Sequence, residues 1–566
     1  MKKLLALITI LFTTITLIAC DYTEPETNDT TSIESIEIDA DTLDESYYQG
    51  MVDLSTMSLI VNYDDDTSET VNVSETMLSQ SDIDHLNVIG IHTILIEYQG
   101  YYTSMELTIV DPPLTTDGTI LNFYYLNDLH GALLEDESSI GMANIANFLK
   151  SEKLREDAET IILSGGDHLQ GTLLSNDSFG ASTLEIFDMI GFDAVVLGNH
   201  EFDWGLDTVT SYYGDEEEAT YQANHPMLAA NVVYKDTDTI PEGLEPYTIV
   251  ERDGLKIGII GTIGYGLESS IARLRVEDYE FLNPVPIVSE LATKLRTEDD
   301  VDLVVLLSHD DSSDVTNQVA ALEGDANIDA IFKGHSHTII NEVVNDTPVL
   351  MSRANGERVG HIQFVIEDGE IVDKTVRNLS QYADERLETA DSEVANYISG
   401  LQDSLSEYFE PLMVTDRYIS SRDLSEWIAE LMLDMTGADF AFQNSGGTRN
   451  DIAEGAEVSM STLLQIFPFD NQVITATVSG YDVQNLQSNV YVSNGSNSVV
   501  GSDTYTIATN DYVFYHENNN LDGSDDITLA YNDMRDLAIQ ELLLQAEVYD
   551  YFDTDNPLLL PTQDHS

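Results

Sequence analysis

Between Gly118 and Glu370 the chain repeats one pattern: a short apolar run, an abrupt polar cluster, then a stretch with helical spacing. The apolar runs are "ILNFYYL", "TIILSG", "AVVLGN", "KIGIIGTI", "DLVVLLSH" and "AIFKGHS". The helical stretches are "GMANIANFLKSEKL", "ASTLEIFDMIG" and "VPIVSELATKLR". Unbroken apolar runs of this length read as buried strands. Their alternation with helices confines the segment to an α/β domain whose sheets are covered by helices. Such domains take their ligands just past the carboxyl ends of the strands, which is where this chain gathers its polar residues.

The flanking segments follow other rules. From Ile33 to about Pro112, "SIESIEID", "MSLIVNY", "SETVNVS", "HTILIEY" and "SMELTIV" are short, rich in β-branched residues and in part alternating, the signature of a small all-β sandwich. The spacing of "YQGMVDLSTMSLIVNYDD" and "NVIGIHTILIEYQG" resembles bacterial immunoglobulin-like modules, which implies a spacer or adhesion role. Residues 390–412 read as a connecting helix and 413–552 as a second α/β unit. The closing "LLLPTQDHS" reads as a loose tail.

Charge excludes some partners. The 566 residues include 22 Lys plus Arg against 103 Asp plus Glu, a net charge of −81. A nucleic-acid polymer is therefore not expected as a partner, because binding one requires cations that displace phosphate counterions. At 42% apolar, the chain still has ample material for several cores.

The first 20 residues, "MKKLLALITILFTTITLIAC", carry two Lys, an apolar stretch and a small-residue ending, the layout of an export signal. "LIAC" resembles the lipobox of bacterial lipoproteins, which implies a lipid on Cys20, the single Cys of the chain, and attachment at the outer face of the membrane. Residues 21–32 read as a flexible tether.

Five strand ends in the segment 118–385 carry metal-ligand side chains: "NDLHG" (Asp128, His130), "GGDH" (Asp167), "GNHEFD" (Asn199, His200, Asp203), "LLSHDD" (His309) and "KGHSH" (His335, His337). Each alone has an ordinary explanation as a turn or cap. Recurrence after successive apolar runs does not. Carboxylate, amide and imidazole donors suit Zn, Mn, Fe or Co. Even with His200 and Asp203 set aside, the seven remaining candidates exceed the needs of one tetrahedral ion and fit two ions about 3.5–4 Å apart sharing a carboxylate.

The order "NDLHG … GGD … GNHEFD … SH … GHSH" resembles the calcineurin-like metallophosphoesterases. Within them it resembles the family of 5′-nucleotidases, UDP-sugar hydrolases and 2′,3′-cyclic-nucleotide phosphodiesterases. That resemblance implies a four-layer α/β/β/α metallophosphoesterase domain followed by an α/β (α+β) substrate-binding domain. It implies Asp128, His130 and His337 on a first divalent ion, Asn199, His309 and His335 on a second, and Asp167 on both. It also implies a catalytic pair, His200 at the phosphoryl group and Asp203 orienting it. Glu201 receives no role beyond serving the turn or a nearby helix N-terminus.

In the second unit, "QNSGGTRNDIAEGAEVSMSTLLQIFPFDNQV" resembles that family's substrate domain and implies nucleotide contacts from Asn444, Arg449 and Phe469. Tyr512 of "TNDYVFYHENNN" occupies the second aromatic position, without the family's following "GGDG". Either Arg417 or Arg422 of "DRYISSRDLSEW" matches the family's Arg cluster, and Asp423 stands where its Asn is usual. The implied activity is dephosphorylation of extracellular nucleotides, with hydrolysis of UDP-sugars or cyclic nucleotides as the alternative on the same residues. Domain rotation about 390–412 would bring Phe469 over the ions. A non-catalytic adhesin predicts interrupted ligand motifs, and every ligand position here is filled.

Overall fold

The structure, a computed structural model, describes residues 32–559 apart from 44–46, 49–51, 53, 66, 87–89, 111–117, 137, 215–220, 495–498, 517, 518, 520 and 522. Cys20 and the export signal lie outside the described residues. The chain divides into two compact units, one made of the N-terminal residues through Val110 except 88–90, the other of the remainder.

The N-terminal unit contains two three-stranded sheets. One orders Ile33–Ile38, Ser58–Tyr63 and Ser68–Asn72. The other orders Tyr47–Tyr48, Tyr101–Val110 and Gly90–Tyr98. Alternation works as the sequence suggests: Ile94 and Ile96 are fully buried while Leu95 between them is half exposed. A helical turn at Gln80–His85 interrupts the strands, a feature the strand pattern did not signal.

In the larger unit, the first α/β domain has two sheets. The seven-stranded sheet orders Leu244–Glu245, Met227–Leu228, Ala194–Val196, Glu159–Ser164, Thr119–Leu126, Val359–Glu367 and Glu370–Leu379. Its first five strands run parallel. The six-stranded sheet orders Tyr247–Arg252, Leu255–Ile263, Leu303–His309, Ala330–Lys333, Thr347–Ser352 and Ile339–Val344, with a parallel centre. Phe123, Tyr125 and Ile161 of one sheet share a core with Ile259, Leu307 and Phe332 of the other. This explains the unbroken apolar runs, since each central strand is covered on both faces. Burial of each such side chain contributes about 1.5–3 kcal/mol.

Helices close the outer faces. Met142–Lys153 and Ala181–Ile190 pack on the first sheet, and Pro284–Thr297 and Ser313–Val319 on the second. The layers are α/β/β/α. The parallel strands of both sheets send their carboxyl ends to one site.

The connecting segment is two helices, Ser392–Ser404 and Ser406–Phe409, and not one. Leu405, at φ −110° and ψ 19°, breaks the helical path between them. The C-terminal domain follows as a five-stranded mixed sheet ordered Val490–Ser493, Phe440–Gln443, Thr504–Asn510, Val473–Ser479 and Asp525–Tyr531. Helices Ser421–Thr436 and Arg535–Val548 cover one face. Asp423 has a local task here: it completes a capping box with Ser420 at the start of Ser421–Thr436.

The expectation of a loose tail from Leu558 is corrected. Leu559 is buried in the C-terminal core, and the backbone N–H groups of Leu558 and Leu559 donate to the buried carboxylate of Glu541. A buried carboxylate needs such donors, and apolar Leu559 supplies the accompanying burial. Residues 560–566 lie outside the described residues.

Candidate active site

Five of the parallel strands end at the site. Asp128 and His130 follow Thr119–Leu126, Asp167 follows Glu159–Ser164, and Asn199 and His200 follow Ala194–Val196. His309 closes Leu303–His309, and His335 and His337 follow Ala330–Lys333. Two sets of donor atoms converge there: Asp128, His130 and His337 form one, and Asp167, His309 and His335 the other.

In the first set, His130 Nε2 and His337 Nε2 face each other at 3.1 Å. Two imidazole ligands about 2.0–2.1 Å from one tetrahedral Zn would stand ~3.3 Å apart. His130 Nδ1 lies 3.1 Å from the carbonyl of Gln170, to which it donates, and this leaves the Nε2 lone pair facing inward. Burial, reinforced by the charge of nearby His200, pushes His130 down to about 3 and keeps that lone pair free. In the second set, Asn199 Oδ1 lies 3.1 Å from His309 Nε2 and 2.9 Å from His335 Nδ1. Asp167 Oδ2 is 3.2 Å from His309 Nε2, and His309 Nδ1 donates to the Gly165 carbonyl at 2.7 Å.

Asp128 and Asp167 are almost wholly buried, at 0% and 1% exposure. Buried carboxylates require compensating positive charge. Burial by itself would lower His309, yet the Asp167 carboxylate and its hydrogen bond raise it to about 10. The pocket thus calls for a cation beside Asp167, and the donor set fits divalent metal ions.

The backbone is shaped for the same purpose. Asp128, His130, Asp167, His335 and His337 all have positive φ, between 49° and 82°. Non-glycine residues enter that region at a cost, and five of the seven sequence-predicted ligands do so here. Gly198 shows why its position takes no side chain: a β-carbon there would collide with Asp167 Oδ1.

Glu201, to which the sequence assigned no more than service to the turn or a nearby helix N-terminus, is fully buried. Its carboxylate accepts from the backbone N–H groups of Gly198 (2.8 Å), Asp167 (2.9 Å), His168 (3.0 Å) and Leu169 (3.4 Å). It ties the loop carrying Asp167 to the loop carrying Asn199. Burial, then repulsion from Asp167, raises it to about 7. An acid just past a strand end in an otherwise apolar context was its only signal.

His200 begins a 3-10 turn, His200–Phe202, and its Nδ1 donates to Asp203 Oδ2 at 2.8 Å. One helical turn brings the two together, as their spacing suggests. Nε2 therefore points into a cavity of about 410 Å³. The cavity is lined from the first domain by Asp167, Asn199 and His335, and from the C-terminal domain by Asn444, Arg449, Phe469 and Tyr512. Arg449 Nη2 is 2.9 Å from His200 Nε2. The Phe469 ring stacks on His200, with centroids 5.5 Å apart at 22°, and lies 5.2 Å from the Arg449 guanidinium carbon.

Arg417 and Arg422 are not brought to this cavity. Arg417 pairs with Asp555 at 2.9 Å, and exposed Arg422 pairs with Glu426 one helical turn away. The Arg that does line it, besides Arg449, is Arg275 of the first domain, which no sequence motif marked. Contacts beside the cavity hold the two domains together. Gln170 Nε2 donates to the Pro468 carbonyl at 2.7 Å, and Trp204 Nε1 donates to Asp470 Oδ2 at 3.1 Å.

Two sequence families match. Residues 121–338 match the family described as calcineurin-like phosphoesterase, and residues 404–486 match the 5′-nucleotidase C-terminal domain. The chain is 26% identical over 471 residues to the cell wall protein Lmo0130 of Listeria monocytogenes, an alignment covering 71% of this chain and 60% of that protein. It is 26% identical over 451 residues to the trifunctional nucleotide phosphoesterase protein YfkN of Bacillus subtilis, covering 71% of this chain and 30% of that one. Among solved structures, a 5′-nucleotidase precursor from Thermus thermophilus shares the fold at a TM-score of 0.63 and 17% identity, covering 74% of this chain and 96% of that one.

Proposed function

We propose that this chain, whose residues 121–338 match the calcineurin-like phosphoesterases and whose residues 404–486 match the 5′-nucleotidase C-terminal domain, is a metal-dependent phosphoester hydrolase whose substrate is a nucleotide. The phosphate lies at the paired ligand sets and the base lies beside Phe469 and Tyr512. The observation that carries this reading is the shared cavity: His200 and Asn199 open onto the same space as Asn444, Arg449, Phe469 and Tyr512. Similarity to proteins named for nucleotide hydrolysis supports it.

In this reading Asp128, His130 and His337 would hold one divalent ion, and Asn199, His309 and His335 the other, with the Asp167 carboxylate available to both. What such an ion pair supplies when bound is neutralisation of phosphoryl charge and acidification of a water. The chain's own residues do the rest. Asp203 holds His200 in the tautomer whose Nε2 faces the phosphoryl group. Arg449, now against His200, gives a charged N–H to a phosphoryl oxygen. Phe469 offers its free face to the base.

Export and attachment through Cys20 belong to the same proposal, with the immunoglobulin-like module as a spacer holding the enzyme off the membrane. Naming of the Listeria relative as a cell wall protein supports a surface location. Phosphate release from AMP, UDP-glucose, 2′,3′-cyclic AMP and ATP, with and without EDTA and with added Mn or Zn, tests the reading. Metal-dependent release from AMP is expected. Absence of metal-dependent release from all four overturns it.

A further inference from the structure

Two neighbouring strands of the C-terminal sheet, Phe440–Gln443 and Thr504–Asn510, run parallel, with Phe442 opposite Thr509. Parallel pairing brings their carboxyl ends together, so Gln443 and Asn444 leave one strand where Asn510 ends the other. Asn444 lines the cavity that holds His200 and Arg449. Asn510 and Gln443 are fully buried behind it.

Local structure accounts for only part of Asn510. Its Oδ1 accepts from the Val513 N–H at 2.7 Å and so caps the helix Asp511–Tyr515. Ser, Thr or Asp would serve as a cap too. The other half of the amide reaches the neighbouring strand. Nδ2 donates to Gln443 Oε1 at 2.8 Å and to Asn444 Oδ1 at 2.7 Å. A short side chain with one acceptor and two donors is what these three contacts require, and Asn has both.

The bonds can run in one direction only. A backbone N–H donates and never accepts, which turns Asn510 Oδ1 toward Val513 and its NH2 toward the strand. Both amides opposite must then present oxygen. At Gln443 this has a cost: its Nε2 is buried without a hydrogen-bond partner among the described residues. At Asn444 it has a use. With its oxygen occupied by Asn510, Asn444 offers the cavity its NH2.

We propose that Asn510 is a positioning residue for the substrate. It locks the Asn444 amide so that the cavity presents a donor there, and the substrate must set a hydrogen-bond acceptor of its base or ribose against it. That the acceptor belongs to a nucleotide rests on the reading above, while the orientation of the amide does not.

Kinetics of the whole, Zn-loaded protein test the lock. Asn510→Asp keeps the cap and turns the donor into an acceptor, and the three N–H donors around it favour its ionised form. Asn444 then turns its NH2 to the new carboxylate and shows the cavity its oxygen. KM for AMP is expected to rise by about fivefold or more while kcat changes by less than about twofold, since His200 and the donor sets are untouched. Asn510→Ser, a cap without the two donors, is expected to raise KM by about twofold or more. Both increases should vanish in an Asn444→Ala background, because Asn510 acts through Asn444. An unchanged KM in both variants, or an increase that persists undiminished in Asn444→Ala, overturns the proposal. Neutron diffraction from deuterium-exchanged crystals reads the amide without any substrate. Deuterons of the Asn444 amide facing the cavity are expected, and deuterons facing Asn510 overturn the proposal. If the wild type hydrolyses no nucleotide, the nucleotide reading alone fails, and the neutron result still decides the lock.

Discussion

Arg449 Nη2 reaches across a domain boundary to within 2.9 Å of His200 Nε2, joining residues 249 positions apart. Since His200 Nδ1 donates to Asp203, Nε2 must accept from the guanidinium. A phosphoryl oxygen arriving between them would accept from the Arg449 guanidinium, and from His200 Nε2 once the ring takes up a proton, which, against burial, the Asp203 and Asp167 carboxylates favour. Arg449→Ala should therefore lower kcat/KM for AMP by about 10²–10³, the usual cost of losing one transition-state donor. Arg449→Lys should restore little of it, since a point charge does not reproduce the planar fork. Steady-state kinetics alongside metal analysis checks this, with metal content expected to stay constant.

His200→Asn should reduce kcat by at least about 10²-fold and leave both ions bound, because His200 belongs to neither donor set. Asp203→Asn should cost about 10–100-fold through misorientation of the ring. Elemental analysis of the purified variants separates the roles: metal loss in His200→Asn equal to its loss of turnover would make His200 a ligand.

Glu201→Gln replaces an acceptor-only carboxylate with an amide whose NH2 faces backbone donors. At least one of the four N–H groups it now satisfies is left unpaired, at about 1–3 kcal/mol. We expect a lower unfolding temperature and at least tenfold weaker metal binding, since the Asp167 and Asn199 loops lose their common anchor. Calorimetry and competition with a chromophoric chelator measure the two effects, and a change in stability alone would deny the loops' dependence on Glu201.

Removing metal should lower stability as well as activity. A ligand present at 100 times its dissociation constant adds about 2.7 kcal/mol to the folded state, and the positive-φ ligand loops lose that contribution in EDTA. Thermal unfolding in EDTA should fall below that with added Zn, and an identical temperature in both would show that the loops hold their shape unaided.

Asp511 belongs to neither donor set, although it lines the same cavity, and it gives a separate pH effect. Burial raises it to about 6, against hydrogen bonds from the N–H groups of Gln472 and Tyr512. The folded chain thus holds this proton more tightly than the unfolded chain does. Its contribution is fully present below the ordinary value of 3.8, falls as pH rises through about 6, and stays lost above. Asp511→Asn should raise the unfolding temperature more at about pH 7.5 than at about pH 4.5, and an equal shift at both would contradict the burial effect.

The ligand loops were legible because their chemistry is carried by rare residue types at strand ends, and strand ends are readable from apolar runs. Glu201 was not legible: its partners are backbone N–H groups, which leave no trace in side-chain identity. Arg417 and Arg422 failed as candidates for a related reason. Motif position placed an Arg near the site, but the available carboxylates decide where a long side chain goes: Asp555, distant in sequence, takes Arg417, and Glu426, one helical turn away, takes Arg422. Arg275 reaches the cavity from another domain, a convergence that no local pattern encodes. The break at Leu405 and the docking of Leu559 likewise depend on packing and not on periodicity.

Asp128, Asp167 and Asn199 ride on one sheet of the first domain, while His309, His335 and His337 ride on the other. The apolar filling between the sheets therefore sets the spacing of the donors. A substitution such as Phe332→Leu, buried between the sheets, can slide one sheet over its neighbour by a fraction of an ångström and leave the fold intact. Misplacement by about 1 Å costs on the order of 10²-fold in rate. Mutational tolerance in that interior is thus limited by turnover before it is limited by thermal stability, so a library screened for solubility alone would retain many well-folded, inactive proteins.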